Sequence, residues 1–222
     1  IETKKTRTIY NVKASNSETV YAPNGKGYVG VISNGIGYDV NGVSGSITSD
    51  IKGIVLGQSV HRNEFGINGG LFLSPDAKSL AYYEMDESMV TEYPLYVLAD
   101  TPAQAKMIRY PTAGKQSHHV LVKVQKLDGT SPVVVLKTGE PKEQYLTNVA
   151  WTPDNKYILI AIVNRAQNHM WLNKYDANTG AFVKTLFEEK NDRYVEPEHP
   201  AVFLKNDPTK FIWWSERDGY NH

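Results

Sequence analysis

A short turn built from Pro and Asp, Asn or Gly recurs along this chain, each time just ahead of an apolar run of strand length. Ala22-Pro23-Asn24-Gly25-Lys26 precedes Gly27-Tyr28-Val29-Gly30-Val31, and Leu73-Ser74-Pro75-Asp76-Ala77-Lys78 precedes Ser79-Leu80-Ala81-Tyr82-Tyr83. Trp151-Thr152-Pro153-Asp154-Asn155-Lys156 precedes Tyr157-Ile158-Leu159-Ile160-Ala161, and a degenerate copy, Lys205-Asn206-Asp207-Pro208-Thr209-Lys210, precedes Phe211-Ile212-Trp213-Trp214. Proline presets φ and the Asp, Asn or Gly closes the turn, so each copy reads as a hairpin turn feeding a buried strand. Pro23 and Pro75 lie about 52 residues apart and Pro153 and Asp207 about 54, close to the span of one propeller blade. The expected fold is all-β, a partial β-propeller of three to four four-stranded antiparallel blades. Such a short arc ends in exposed strand edges, and self-association through them is expected.

The gap from Pro75 to Pro153 is about 78 residues, longer than one blade. The surplus falls between Glu84 and Tyr110, where Met85-Asp86-Glu87-Ser88-Met89 and Thr91-Glu92-Tyr93-Pro94 read as an excursion from the blade. Segments that leave a scaffold are where function concentrates. After the third turn, residues 173–187 read as strand, polar turn and strand, which completes a four-stranded unit. Fourteen Tyr, four Trp and six Phe suit pleated, half-buried surfaces. Only Thr101 to Met107 inclines to helix, for one or two turns at most.

Charge and composition then exclude whole classes of function. The 24 basic residues cancel the 24 acidic ones, so no long-range positive field exists to hold a nucleic acid or an anionic membrane. The longest clean apolar stretch, Tyr157 to Val163, is about seven residues where a membrane helix needs about twenty. Zero cysteines remove disulfides, thiolate metal sites and thiol nucleophiles together. The chain opens Ile1-Glu2, with Lys4 and Lys5 close behind and no apolar signal core, and it stops at Arg217-Asp218-Gly219-Tyr220-Asn221-His222, inside an apparent turn. Both ends read as those of a piece of something longer.

Candidate chemistry is sparse. Gly42-Val43-Ser44-Gly45-Ser46 lacks the last glycine and the helix of a nucleophile elbow, and its polar flanks read as a loop. His118-His119, His61, His169, His199 and His222 invite a zinc hypothesis, but neighbours on a strand point to opposite faces, so no metal and no other cofactor is expected. Asp86-Glu87 are too close in sequence for a glycosidase pair and read as acids bonded to loop backbone. Trp151, Trp171, Trp213 and Trp214 sit in repeated strands and read as blade packing rather than stacking platforms. Arg165 either pairs with an acidic neighbour or lines a channel.

Several stretches resemble one family in collinear order. They are His61-Arg62-Asn63-Glu64-Phe65-Gly66-Ile67, Ser74-Pro75-Asp76, Met85-Asp86-Glu87-Ser88-Met89-Val90 and Ile108-Arg109-Tyr110-Pro111-Thr112-Ala113-Gly114. Tyr145-Leu146-Thr147-Asn148-Val149-Ala150-Trp151, Asn164-Arg165-Ala166-Gln167-Asn168, Tyr194-Val195-Glu196-Pro197-Glu198-His199-Pro200 and Ser215-Glu216-Arg217-Asp218-Gly219 continue it. From about residue 20 to 222 the chain resembles the N-terminal β-propeller of dipeptidyl peptidase IV-type serine peptidases of the prolyl oligopeptidase superfamily, in particular bacterial, Bacteroides-like members.

That resemblance implies a single unit over residues 1–222, with a catalytic α/β-hydrolase domain lying outside this chain. It implies a periplasmic or secreted enzyme that releases N-terminal Xaa-Pro or Xaa-Ala dipeptides, with the propeller gating access and holding the peptide's free amine. In the family two adjacent glutamates hold that amine, because carboxylates are charge-assisted acceptors at a fixed distance from the scissile bond. The matching stretch here has one acid. Glu64 and Asn63 are therefore the substrate-binding candidates, and either of them can occupy either position of the pair, the second carboxylate being absent or supplied by another loop. The plain alternative for Glu64 is a surface ion pair with Arg62 or His61, worth under about 1 kcal/mol. The alternative for the whole chain is a free-standing propeller-like module that binds peptide or protein without catalysis.

Overall fold

The computed structural model describes residues 18–222, and the start at Ile1, Glu2, Lys4 and Lys5 lies outside the described residues. Among the described residues the regular structure is strand, with one 3-10 turn at His61–Asn63. Strands β1 (Thr19–Tyr21), β2 (Gly27–Ile32), β3 (Gly35–Val40) and β4 (Val43–Ile47) form one antiparallel sheet in chain order. The next sheet holds β5 (Ile54–Leu56), β6 (Leu71–Leu73), β7 (Ser79–Asp86), β10 (His119–Lys126) and β11 (Val134–Val135). The hairpin between them in sequence, β8 (Glu92–Val97) and β9 (Gln104–Arg109), pairs only with itself. A third four-stranded sheet runs β12 (Tyr145–Trp151), β13 (Tyr157–Val163), β14 (His169–Asp176) and β15 (Phe182–Lys190), and β16 (Val202–Leu204) with β17 (Asp207–Ile212) begins a fourth. These are the successive antiparallel blades of a partial propeller.

The cores lie between consecutive sheets, because the middle strands are apolar on both faces and must be covered twice. Val29, Val31, Ile36 and Val40 of the first sheet pack with Leu56, Leu71, Leu80 and Tyr82 of the second. Ala81, Tyr83, Val122 and Val124 face Leu146, Ile158, Ile160 and Tyr175 of the third. Leu159, Ala161, Met170 and Leu172 meet Val195, Ala201, Phe203 and Phe211 beyond it.

The repeated turn works through a hydroxyl as well as through proline. Ser74 Oγ donates to Asp76 (2.7 Å) and accepts from the backbone N–H of Ser79 (3.0 Å), while Asp76 accepts from Lys78 N–H (3.1 Å). Thr152 repeats this, donating to Asp154 (2.6 Å) and accepting from Tyr157 N–H (3.0 Å), while Asp154 accepts from Lys156 N–H (3.1 Å). Successive turns are also tied to one another. Asn41 bonds Asn24 at 2.9 Å and donates to Ala77 O at 3.1 Å, and Asn155 accepts from Asp76 N–H at 3.0 Å.

Three local readings change. Thr101 to Met107 is not helical: residues from Gln104 onward form β9, paired with β8 from Val97↔Gln104 to Glu92↔Arg109. A helix of that length has too few internal bonds to compete with a cross-strand ladder. Val43–Ile47 is edge strand rather than loop. Asn41 and Gly42, both at positive φ (54° and 82°), make the two-residue turn that lays it against β3. In the degenerate fourth repeat the turn falls at Lys205-Asn206, and Pro208 lies inside β17.

One irregularity positions the candidate site. Strand β5 pairs with Glu84–Asp86 and β6 with Leu80–Tyr82 of the same neighbour, β7, so the two are halves of one interrupted strand. Tyr83 sits opposite the gap: its C=O accepts from Gly57 N–H (2.8 Å) and its N–H donates to Gly70 O (3.0 Å). Residues 57–70 loop out from that pinch. A side chain on Gly70 would overlap the carbonyl of Gln58, so the loop base closes only on glycine.

Candidate functional site

The 57–70 loop carries the stretch that the sequence singles out, and its backbone there is far from regular. His61, Arg62, Asn63, Phe65 and Gly66 all have positive φ, between 50° and 68°. For residues with a Cβ this conformation is costly and persists only where the surroundings hold it. The surroundings do. Phe65 is buried, its ring edge-on to Tyr145 at 4.9 Å, and Thr147 Oγ donates to Phe65 O at 2.9 Å. Gly66 lies so close to Glu198 O that a Cβ would overlap it, and Asn148 Nδ2 donates to Pro197 O at 2.6 Å, so the 194–200 loop backs the turn.

His61 is the buried pin of the loop. Its Nε2 accepts from Leu146 N–H at 3.1 Å, and its backbone N–H donates to His118 Nε2 at 3.2 Å. Tyr83 Oη donates to Leu146 O at 2.8 Å, so both backbone groups of Leu146 tie β12 to the second sheet. Burial, reinforced by His118 and then Arg165, drives the His61 pKa down to about 3. His118 is lowered for the same reasons, burial first and then His119, Arg165 and Arg62. Both imidazoles are neutral at pH 7. Burial likewise pushes the Tyr83 phenol far up, so it stays a donor.

Glu64 is exposed and stands at the mouth of a cavity of about 240 Å³ that His61, Arg62, His118, Tyr145 and Arg165 also line. It pairs with neither Arg62 nor His61. Its Oε2 accepts from Gln167 Nε2 at 3.1 Å, and the same Gln167 nitrogen donates to Tyr145 Oη at 3.0 Å. Arg165 Nη1 donates to that hydroxyl too, at 2.5 Å. Arg62 lies over the Tyr110 ring at 4.4 Å. Asn63 is exposed, does not line the cavity, and accepts a short hydrogen bond from Ser59 Oγ.

The other candidates resolve into structural roles. His118 turns toward His61 while His119 approaches Glu143 at 3.3 Å. Among the described residues no cluster of three or more His, Asp or Glu could hold a metal ion. Asp86 accepts from Ser88 N–H, and Glu87 and Glu92 flank Arg109, which donates to Ser88 O and Val90 O at the base of the β8–β9 hairpin. Trp151 donates to Phe72 O at 2.8 Å across two sheets; Trp213 packs on Phe187, Trp171 stacks on His169 at 3.7 Å, and Trp214 lies near His199.

Arg165 lines the cavity and bonds the Tyr145 hydroxyl. Tyr145 and Gln167 have no site role legible in sequence alone. The available signal is the polar run Asn164-Arg165-Ala166-Gln167-Asn168 between two strongly apolar strands, where Asn164 closes the hairpin through Asn168 N–H and His169 N–H.

The described residues contain no helix long and apolar enough to cross a membrane. In comparisons with known proteins, a solved structure of a dipeptidyl aminopeptidase IV from Bacteroides ovatus superposes with a TM-score of 0.86 at 43% identity, over 95% of this chain and 29% of that one. Porphyromonas gingivalis dipeptidyl peptidase 4 shares the fold, with a TM-score of 0.81 at 22% identity over 92% of this chain and 30% of that one. Among curated proteins, a dipeptidyl-aminopeptidase B of Phaeosphaeria nodorum is 25% identical over 71% of this chain, and one of Tuber melanosporum is 27% identical over 62%. The chain spans about a fifth of the length of these curated relatives (20% and 18%). All of residues 1–222 match the family described as the dipeptidyl peptidase IV (DPP IV) N-terminal region. Antiparallel blades in series and a family match that runs from residue 1 to residue 222 place this chain in the dipeptidyl peptidase IV N-terminal family.

Proposed function

We propose that this chain is the non-catalytic propeller part of a dipeptidyl peptidase IV-type serine exopeptidase, in which it gates access and holds the free N-terminal amine of the peptide to be cut. Catalysis would come from an α/β-hydrolase domain of the same polypeptide, outside residues 1–222, and the enzyme would act in the periplasm or outside the cell. The observation that carries the reading is Glu64: an exposed carboxylate at a cavity mouth, on a strained turn, fixed by Gln167 from a different sheet. A pre-set carboxylate is what recognition of an ammonium needs, since its orientation is settled before the ligand arrives. Asn63 is the lesser partner. With Ser59 on one lone pair of its Oδ1, the other remains to accept from the amine.

Glu64→Gln in the full-length protein tests this. It keeps shape and removes charge, so turnover of a Gly-Pro chromogenic substrate should fall about ten- to a hundredfold in kcat/KM, a charge-assisted bond becoming a neutral one. The melting temperature should hold, because Glu64 is exposed and among the described residues its hydrogen-bond partner is one amide, that of Gln167. Undiminished turnover would place the anchor elsewhere. A fall in both would make Glu64 a structural residue. The exposed edges and apolar residues such as Tyr96 and Leu98 (66% and 82% exposed) further support self-association of residues 1–222 when isolated, and strictly monomeric light scattering at high concentration would refute it.

A further inference from the structure

Beside Glu64 the cavity wall is cationic, and the amine reading gives that wall no work. Arg62, Lys115 and Arg165 all line it, and among the described residues none of the three forms an ion pair with a carboxylate. The guanidiniums are held by aromatic rings instead. Arg62 lies over Tyr110 at 4.4 Å, and Arg165 sits 5.7 Å from the Tyr145 centroid while bonding its hydroxyl. Stacking and a hydroxyl acceptor orient an arginine without neutralising it. One further carboxylate offsets part of this charge: Glu143 also lines the cavity, stays ionised, and lies 3.3 Å from His119, while His61 and His118 are neutral, so three cations face a single acid besides Glu64.

Tyr145 adds a further donor. Its oxygen accepts from Arg165 and from Gln167, which fills both lone pairs, so its own O–H is left to donate. A ligand group here therefore meets preset donors and an excess of positive charge, three cations against Glu143. Carboxylates fit both, and arginine forks match them bidentately.

We propose that this cavity is a subsite for a carboxylate on the peptide's first residue, so that a peptide beginning with Asp or Glu is preferred over its neutral isostere. The proposal rests on the reading that Glu64 holds the amine: an acidic first residue presents ammonium and carboxylate a few bonds apart, matching one anionic mouth and one cationic wall.

The test compares Asp-Pro with Asn-Pro chromogenic substrates on the full-length protein, since the two differ in charge at almost constant shape. Asp-Pro should be favoured about three- to tenfold in kcat/KM, mainly through KM, as befits partly exposed ion pairs, and the preference should shrink in salt. The double variant Arg62→Gln/Lys115→Gln should bring the ratio to about one. A folding defect would lower both substrates together and leave the ratio intact, so a preserved Asp preference in that variant overturns the proposal. A ratio near one in the parent overturns it directly. Glu64→Gln separates the two readings: loss on both substrates with the ratio kept sustains the amine anchor and the subsite, whereas no loss on either, with the Asp preference still present, sinks the anchor alone.

Discussion

The second and third sheets start from the same device and end differently. In each, a Ser/Thr-Pro-Asp turn with the same side-chain bonds joins an inner strand to the most buried strand of the sheet. In the third sheet that inner strand, β12, runs unbroken from Tyr145 to Trp151, and its one irregularity is a shift of register between Thr147 and Ala150, with Asn148 at φ 54°. In the second sheet the equivalent strand is cut into β5 and β6, and the 57–70 loop leaves through the gap. A bulge re-aims one side chain, while a full excursion frees a whole segment from the ladder. The intact strand then supports the broken one: Tyr145, Leu146 and Thr147 of β12 bond or pack against the loop that the second sheet releases.

That dependence can be broken at several depths. The largest effect is expected from Leu146→Ala, since this side chain is 1% exposed in the core shared by the two sheets. It should cost about 2–5 kcal/mol in chemical denaturation, and a cost under about 1 kcal/mol would mean that the sheets do not share that core.

Acid should loosen the loop next. His61 is neutral when folded, with a pKa of about 3, and titrates near 6.5 when unfolded. Between those values the unfolded state binds the extra proton, so its contribution to stability is full above pH 6.5 and is lost as pH falls toward 3. By pH 5 the loss is about 2 kcal/mol, at about 1.4 kcal/mol per pH unit. Denaturant midpoints measured from pH 7 to pH 4 should slope accordingly, and His61→Gln should flatten that slope. The same slope in the variant would assign the acid sensitivity to other groups.

Tyr83→Phe removes the hydroxyl that reaches Leu146 O and nothing else. A loss of about 1–2 kcal/mol is expected, and a neutral result would show that this cross-sheet bond is replaceable. Smallest, and aimed at the repeat itself, are Ser74→Ala and Thr152→Val. Ser74 Oγ serves the N–H groups of both Lys78 and Ser79, and Thr152 Oγ serves that of Tyr157. Each substitution should cost about 1 kcal/mol, with Ser74 the dearer of the two; the reverse order in thermal melts would show that the number of N–H groups served does not set the cost.

The sequence by itself determined what is local. Alternating apolar residues fixed the strands, Pro with Asp or Asn fixed three of the turns, and the excess length after Pro75 marked the β8–β9 excursion, because pleat, φ restriction and Asx bonding act within a few residues. It mistook residues 101–107 and 43–46 where pairing with a neighbouring strand outweighed local preference. Glu64 was legible as a candidate only through its motif; its surroundings were not. Gln167 reaches it across 103 positions of chain, and Tyr145 meets Phe65 only after two sheets have stacked. Tertiary structure alone decided that meeting, since which side chains converge on the loop depends on the register of β12 against β13 and on a core that no short window of sequence contains.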